Sequence, residues 1–132
     1  MKTKLLNKLV TAAAITLPML TLGANKALAS DFYGAIAYSP STRSHGYSYD
    51  YSTQQAAQNR ALRECESYSG KGDCRILVWF KNACGALAQA DNGAAGSGWG
   101  VTQALAESYA LRSCREYGGQ GCKISRWVCT SR

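Results

Sequence analysis

The chain contains an internal repeat, which constrains its fold more than any other feature. Residues 53–70 and 102–119 align without a gap and are identical at 9 of 18 positions, whereas average residue usage gives roughly one match by chance. The flanking landmarks recur in the same order, so residues 33–82 and 84–130 form two copies of one unit. A repeat this short cannot bury its own apolar face, and we therefore expect the two copies to share a core.

Residues 1–29 have the pattern of a secretory signal peptide. Lys2, Lys4 and Lys8 precede an apolar stretch over residues 9–22, and a small-x-small cleavage site follows at residues 27–29. The stretch is shorter than the ~20 residues that span a bilayer, although a retained anchor helix is the alternative. We predict one domain over residues 30–132, secreted or periplasmic, with no membrane span.

The net charge of the chain belongs mainly to this leader. The formal charge is +7, and the leader contributes four lysines and no acidic residue, which leaves +3 on residues 30–132. The remaining basic residues are scattered along the sequence, whereas a nucleic-acid-binding protein clusters them on one face. The sequence therefore predicts no nucleic-acid partner.

Six cysteines lie in the repeated region. An even number of cysteines in a small exported chain predicts a disulfide framework, whereas a zinc site, the alternative, favours pairs two to four residues apart. Two cysteines occupy equivalent places in each copy, and the remaining two are then left to each other. The repeat thus favours the pairs Cys65–Cys74, Cys114–Cys122 and Cys84–Cys129.

Each copy has the pattern of strand, strand, helix and strand. Residues 74–80 are apolar on both faces and predict a central strand, whereas the glycine-rich residues 90–98 predict a flexible loop. The fold class is therefore α+β, and the simplest assembly is one mixed or antiparallel sheet of about six strands with both helices on one face.

Alternating tyrosines provide one candidate binding surface. Tyr47, Tyr49 and Tyr51 recur with a period of two, which places three aromatic rings on one face of a strand. Together with Trp99 they are candidates to stack on sugar rings or to contact a protein partner. The alternative is that these rings pack under the helices, because a small core needs large side chains.

No combination of residues predicts catalysis. His45 is the single histidine, and Asp50 is the nearby carboxylate, but a hydrolytic triad also needs an activated nucleophile, and no serine lies in a nucleophile motif. We predict no catalytic residue, no cofactor and no metal ligand. A small hydrolase that uses His45 and Asp50 remains the alternative.

Four sequence motifs resemble those of a known family. The motifs are Tyr33–Ser39 (YGAIAYS), Val78–Ala88 (VWFKNACGALA), Gly98–Gly100 (GWG) and Trp127–Cys129 (WVC). They resemble a family of small exported bacterial proteins described as a domain of unknown function. The resemblance implies secretion and a small disulfide-bonded domain, and it supplies no catalytic residue or cofactor.

These observations favour a non-enzymatic binding or interaction module of the cell envelope or extracellular space. We expect a monomer whose partner is an exported protein or an envelope glycan, for example as an inhibitor of, or a protective protein against, a secreted hydrolase. The alternatives are a small secreted hydrolase that acts on envelope polymer or peptide, and a structural or stress protein of the envelope.

Overall fold

The computed structural model describes residues 13–15 and 30–132, so almost all of the predicted signal peptide lies outside the described residues. The rest of the chain forms six strands and two helices, and the order strand, strand, helix, strand occurs twice, as predicted. The elements are β1 (Tyr33–Tyr38), β2 (His45–Tyr51), α1 (Gln54–Ser69), β3 (Arg75–Lys81), β4 (Cys84–Gln89), β5 (Ala95–Gly100), α2 (Gln103–Glu116) and β6 (Lys123–Cys129).

The strands form two separate antiparallel sheets. The first sheet has the order β2-β1-β3 and the second has the order β5-β4-β6, so each copy builds its own sheet around its own first strand. The α+β class is confirmed, but the expectation of one six-stranded sheet is wrong. The central strands β1 and β4 are already hydrogen-bonded on both sides within their own copies, so neither has a free edge for the other copy.

The sheets pack face to face, and the helices lie on the two outer faces. α1 packs on β1, β2 and β3, and α2 packs on β4, β5 and β6. The expectation that both helices share one face is therefore also wrong, because two sheets in a sandwich each offer one outer face. β3 is an edge strand rather than the central strand expected from its apolar residues, which instead divide between the helix side and the other sheet.

Small residues let each helix approach its sheet closely. Ala57 and Ala61 of α1 are fully buried against Ala35 and Ala37 of β1, and α2 packs on alanines of β4 in the same way. The glycine-rich segment expected to be a flexible loop is strand β5 from residue 95 onwards. A Cβ atom on Gly96 would lie 2.1 Å from the Cys114 amide nitrogen, so only glycine permits this strand-to-helix contact.

Threonine caps begin both helices at equivalent positions. The Thr53 side chain accepts a hydrogen bond from the Ala56 amide at 3.1 Å, and Thr102 accepts one from the Leu105 amide at 3.2 Å. Such caps satisfy amide groups that the first turn of a helix leaves unpaired. Gly70 ends α1 in the left-handed conformation, with φ of 64°.

The structure has three disulfides among the described residues, one in the first copy and two in the second. They link Cys65 to Cys74, Cys114 to Cys122 and Cys84 to Cys129, which are the pairs that the repeat favours. The first two connect the last turns of a helix to the start of the next strand, and the third joins β4 to β6. By the chain-entropy model the short loops contribute about 2.7 kcal/mol each and the long one about 4 kcal/mol.

Phe80 fills the space between the two sheets. Its side chain is 1% exposed, and its ring lies against Gly34 of β1 and Gly85 of β4. A Cβ atom on either glycine would lie 2.4 Å from the ring, so one aromatic side chain occupies the space above both central strands. Ile36 and Leu87 complete this inter-sheet core on either side.

We predict that Phe80→Ala destabilises the protein by about 3–5 kcal/mol, because the cavity would lie between two sheets that cannot collapse onto it. The measurement is urea unfolding followed by circular dichroism. Trp79→Ala is the matched control, because the neighbouring ring is 42% exposed and its loss should cost much less. An equal loss of unfolding free energy in both variants would contradict the assignment of Phe80 to the core between the sheets.

Candidate functional site

A bulge in β2 separates the three alternating tyrosines. Tyr47 packs against the inter-sheet core, Tyr49 is 51% exposed, and Tyr51 packs on the α1 side of the sheet. The cause is Asp50, which has φ of 60° and lies where the β1–β2 register shifts; aspartate tolerates this conformation. The three rings therefore do not form the single-faced ladder expected from their spacing.

The bulge is attached to the C-terminal end of the chain. The Asp50 carboxylate accepts a 2.8 Å hydrogen bond from the Ser131 amide and a second one from the Ser131 hydroxyl. Sequence spacing contained no signal for this contact, because the two residues are 81 positions apart. It holds the last residues of the chain beside β2.

Trp99 lies in the middle of an exposed apolar surface. Its ring is 54% exposed, and three further apolar side chains with large exposed fractions surround the same groove of about 480 Å³. We call this surface the apolar patch, and its residues are Trp99, Val101, Leu105 and Tyr109. A second groove of about 500 Å³ lies between Trp99 and strand β3, so the indole separates two concave surfaces.

The first copy shows that the fold does not require the apolar patch. Equivalent positions in the two copies are defined by the sequence alignment of the helices and by the register of the strands. In the strands, Ser48 and Gly98 are equivalent because they pair with equivalent alanines of β1 and β4. The first copy carries mainly polar or small residues at these positions and forms the same elements. The equivalents of the apolar patch, in the same order, are Tyr49, Ser52, Ala56 and Arg60.

His45 contacts a cation rather than a carboxylate. The Arg126 Nε donates a hydrogen bond to His45 Nε2 at 3.2 Å, and its guanidinium lies 4.5 Å from the centre of the Tyr47 ring. Burial lowers the pKa of His45 below its ordinary value, and the positive charge of Arg126 lowers it further. The imidazole is therefore neutral at pH 7, with Nε2 as the acceptor.

His45 and Asp50, the residues of the hydrolase hypothesis, are not brought together. They lie five residues apart on one extended strand, which corresponds to about 16 Å of backbone, and they bond to different partners. A general base works within hydrogen-bonding distance of the group it activates. No described contact assembles these two side chains into a catalytic pair.

A hydroxyl-rich cluster surrounds Asp73, which sequence reasoning missed. The Asp73 carboxylate accepts hydrogen bonds from the Ser39 hydroxyl at 2.6 Å, the Ser41 amide at 3.1 Å and the Ser69 hydroxyl at 3.3 Å. These bonds, with that of Ser39 the largest, lower the pKa of Asp73 to about 2. The run of hydroxyl residues between β1 and β2 was the available signal, but its partner lies more than thirty positions away.

One cluster of potential metal ligands occurs in the part of the chain that the structure describes. Atoms of Glu66, Asp73 and Cys74 lie within 4.8 Å of one another. However, the Cys74 sulfur is bonded to Cys65, and the Glu66 carboxylate accepts hydrogen bonds from the Gly72 and Cys74 amides. These groups close the loop after α1, and their chemistry does not fit a metal-binding cage, which needs free thiolate or carboxylate ligands.

The fold thus defines a class: small α+β domains made of two disulfide-bonded β-β-α-β units. Among the described residues, no helix has the length and apolar character needed to cross a membrane. The chain belongs to the family described as Domain of unknown function (DUF4189), whose model matches residues 33–129. This confirms the resemblance as far as membership in a family of unknown function.

Mycobacterial proteins are similar to this chain. Protein Rv1269c of Mycobacterium tuberculosis and Protein Mb1300c of Mycobacterium bovis are each 46% identical over 68 residues, which are 52% of this chain and 50% of each relative. The matched region thus spans about half the length of these curated relatives. The NMR structure of Rv1813c from Mycobacterium tuberculosis is similar with a TM-score of 0.55 at 26% identity, over 96% of this chain and 99% of that chain.

We predict that Asp73 makes the protein less stable in acid. Its folded-state pKa is depressed, so its contribution to stability is complete above pH ~4 and is lost as the pH falls towards about 2. Asp73→Asn should flatten the pH dependence of the unfolding free energy between pH 4 and 2, as measured by urea titrations. Ser39→Ala should remove part of the same dependence, and an unchanged profile in both variants would contradict the assignment.

The His45 pKa provides a second test. Because His45 is the only histidine, its imidazole protons can be followed directly in a one-dimensional proton NMR titration. We predict a pKa below 6.5 that rises in Arg126→Gln but stays below 6.5, because burial remains. Since the folded state disfavours the protonated imidazole, stability from this group is lost as the pH falls below 6.5. A wild-type pKa above 6.5 would contradict the burial of a neutral ring.

Proposed function

We propose that residues 30–132 form an exported, non-enzymatic binding module that contacts a protein partner through the apolar patch. The observation that carries this proposal is the difference between the two copies. Both copies form the same fold, but only the second has four large apolar side chains at these exposed positions. Solvent-exposed apolar clusters are unfavourable unless another surface covers them.

The composition of the apolar patch favours a protein surface over a glycan. Tryptophan and tyrosine dominate binding energy at protein interfaces when they lie beside pockets that a partner fills, and Trp99 separates two such grooves. Sugar sites add polar side chains that hydrogen-bond the hydroxyl groups of the ligand. The groove beside α2 is lined instead by Val101, Leu105, Tyr109 and glycines.

Export is part of the same proposal. The first 29 residues have the order of charged, apolar and small residues that directs secretion. Three disulfides support an oxidising location outside the cytoplasm, because thiols stay reduced inside it. Partners are therefore to be sought among secreted or periplasmic proteins, and an inhibitor of a secreted hydrolase is one form that this function takes.

We predict that Trp99→Ala weakens partner binding by about 30-fold or more, which corresponds to loss of a hot-spot side chain. The full chain, exported and oxidised in a bacterial host, would be crosslinked to envelope and culture-medium proteins, and the affinity for the purified partner then measured by calorimetry. Tyr49→Ala is the matched control, because it occupies the equivalent position and is exposed to the same extent.

The double variant Val101→Ser, Leu105→Ala tests the same surface without removing the indole. It gives α2 and the preceding turn the side chains found at the equivalent positions of the first copy, so it should fold normally and bind more weakly. Equal binding by wild type and both patch variants, or an equal loss in the Tyr49 control, would overturn the proposal. Saturable binding to an envelope glycan that Trp99→Ala abolishes would reassign the partner.

A further inference from the structure

A groove on the β2–β6 side of the sandwich contains a half-buried arginine. The groove has a volume of about 380 Å³ and lies between strands of different sheets, apart from the residues of the apolar patch. Its lining residues are Ser44, His45, Tyr47, Glu64, Tyr68 and Arg126. Aromatic rings and hydroxyl groups thus surround one guanidinium.

The fold does not require an arginine at this position. Arg126 of β6 pairs with Leu87 of the central strand β4, and the equivalent residue of the first copy, Val78 of β3, pairs with Ile36. Val78 is 9% exposed and belongs to the inter-sheet core. A guanidinium at a position that the other copy gives to a core valine loses hydration and conformational freedom, so its presence needs another explanation.

The contacts of Arg126 leave its charge without a counterion. Its Nε donates to His45, and its plane lies over Tyr47, but the terminal nitrogens make no hydrogen bond or ion pair with any described residue. The ion pairs of the described residues join Arg60 to Glu64 and Lys81 to Asp31. Two parallel N–H groups of a guanidinium match the two oxygens of a carboxylate, and such pairs are short and strong.

We propose that this groove binds a carboxylate group of a small ligand, with the terminal nitrogens of Arg126 as the bidentate donor. Ser44 and Tyr68 line the same groove, and their hydroxyl groups are further donors for the carboxylate. His45 accepts a hydrogen bond from the Arg126 Nε–H and so holds the guanidinium in place, as a positioning residue. The Tyr47 ring supports the guanidinium from its face.

Glu64 weakens the binding of any anion in the groove. Glu64 is one of the lining residues, and its carboxylate is paired with Arg60 at 3.5 Å, so its charge is only partly compensated. The remaining repulsion grows in proportion to the charge of the anion, as does the attraction of Arg126. The cost of removing water from the anion grows with the square of its charge, so a half-buried groove with one unpaired guanidinium favours a monoanion over a dianion. We therefore expect acetate to bind more tightly than inorganic phosphate.

The test is an NMR titration of the exported, oxidised chain with sodium acetate and, separately, with inorganic phosphate, at constant pH and ionic strength. The single histidine reports on the groove, and saturable shifts of its ring protons should appear with acetate. Arg126→Gln should weaken acetate binding at least tenfold, whereas Arg115→Gln, a substitution of an exposed arginine on α2, should not change it.

Two further variants keep the result decisive. Arg126→Lys retains the positive charge but not the two parallel N–H donors. It should bind acetate more weakly than the wild type, and it tests the proposal even if Arg126→Gln fails to fold. Glu64→Gln should bind acetate more tightly, because the repulsion is removed. Non-saturable shifts, shifts that persist in the Arg126 variants, or weaker binding by Glu64→Gln would overturn the proposal, and tighter phosphate binding would overturn the carboxylate assignment.

Discussion

The contact of Phe80 with two glycines joins the halves of the molecule. Gly34 and Gly85 occupy the same position in the two copies, one on each central strand, and the single ring fills the space above both. Because this ring and its aliphatic neighbours occupy the space between the sheets, the helices must cover the outer faces. The alanine-lined helix contacts then follow, since each central strand offers alanines on its outer face.

The two copies agree where the fold depends on them and differ where it does not. Helix caps, the alanines under each helix and the two equivalent disulfides recur in both. In contrast, Trp99 occupies the position equivalent to Tyr49, and Arg126 occupies the position equivalent to Val78. These differences change which side chains the surface presents to a partner. Each copy therefore acts as an internal reference for the other, which separates residues needed for folding from residues available for binding.

Local pattern predicted the elements, but not how they assemble. The helices and the pairs Cys65–Cys74 and Cys114–Cys122 follow from the repeat, because each depends on residues close together in one copy, and the remaining two cysteines are then left to each other. The single sheet was wrong because a strand with two apolar faces is compatible with either one large sheet or a sandwich. The tyrosine ladder was wrong because one left-handed residue, Asp50, reverses the alternation at the β2 bulge. The apolar patch was only partly foreseen, through Trp99.

The sequence by itself determined the duplicated β-β-α-β plan and the sites where the covalent crosslinks form, because both depend on spacing within one copy. Only the tertiary structure decided that the sheets face each other, that Arg126 reaches His45 across 81 positions, and that Trp99 lies beside α2 side chains. Those outcomes depend on how two surfaces fit in space. The fit depends on the side-chain volumes at Gly34, Gly85 and Phe80. The periodicity of the sequence does not show that these three residues meet.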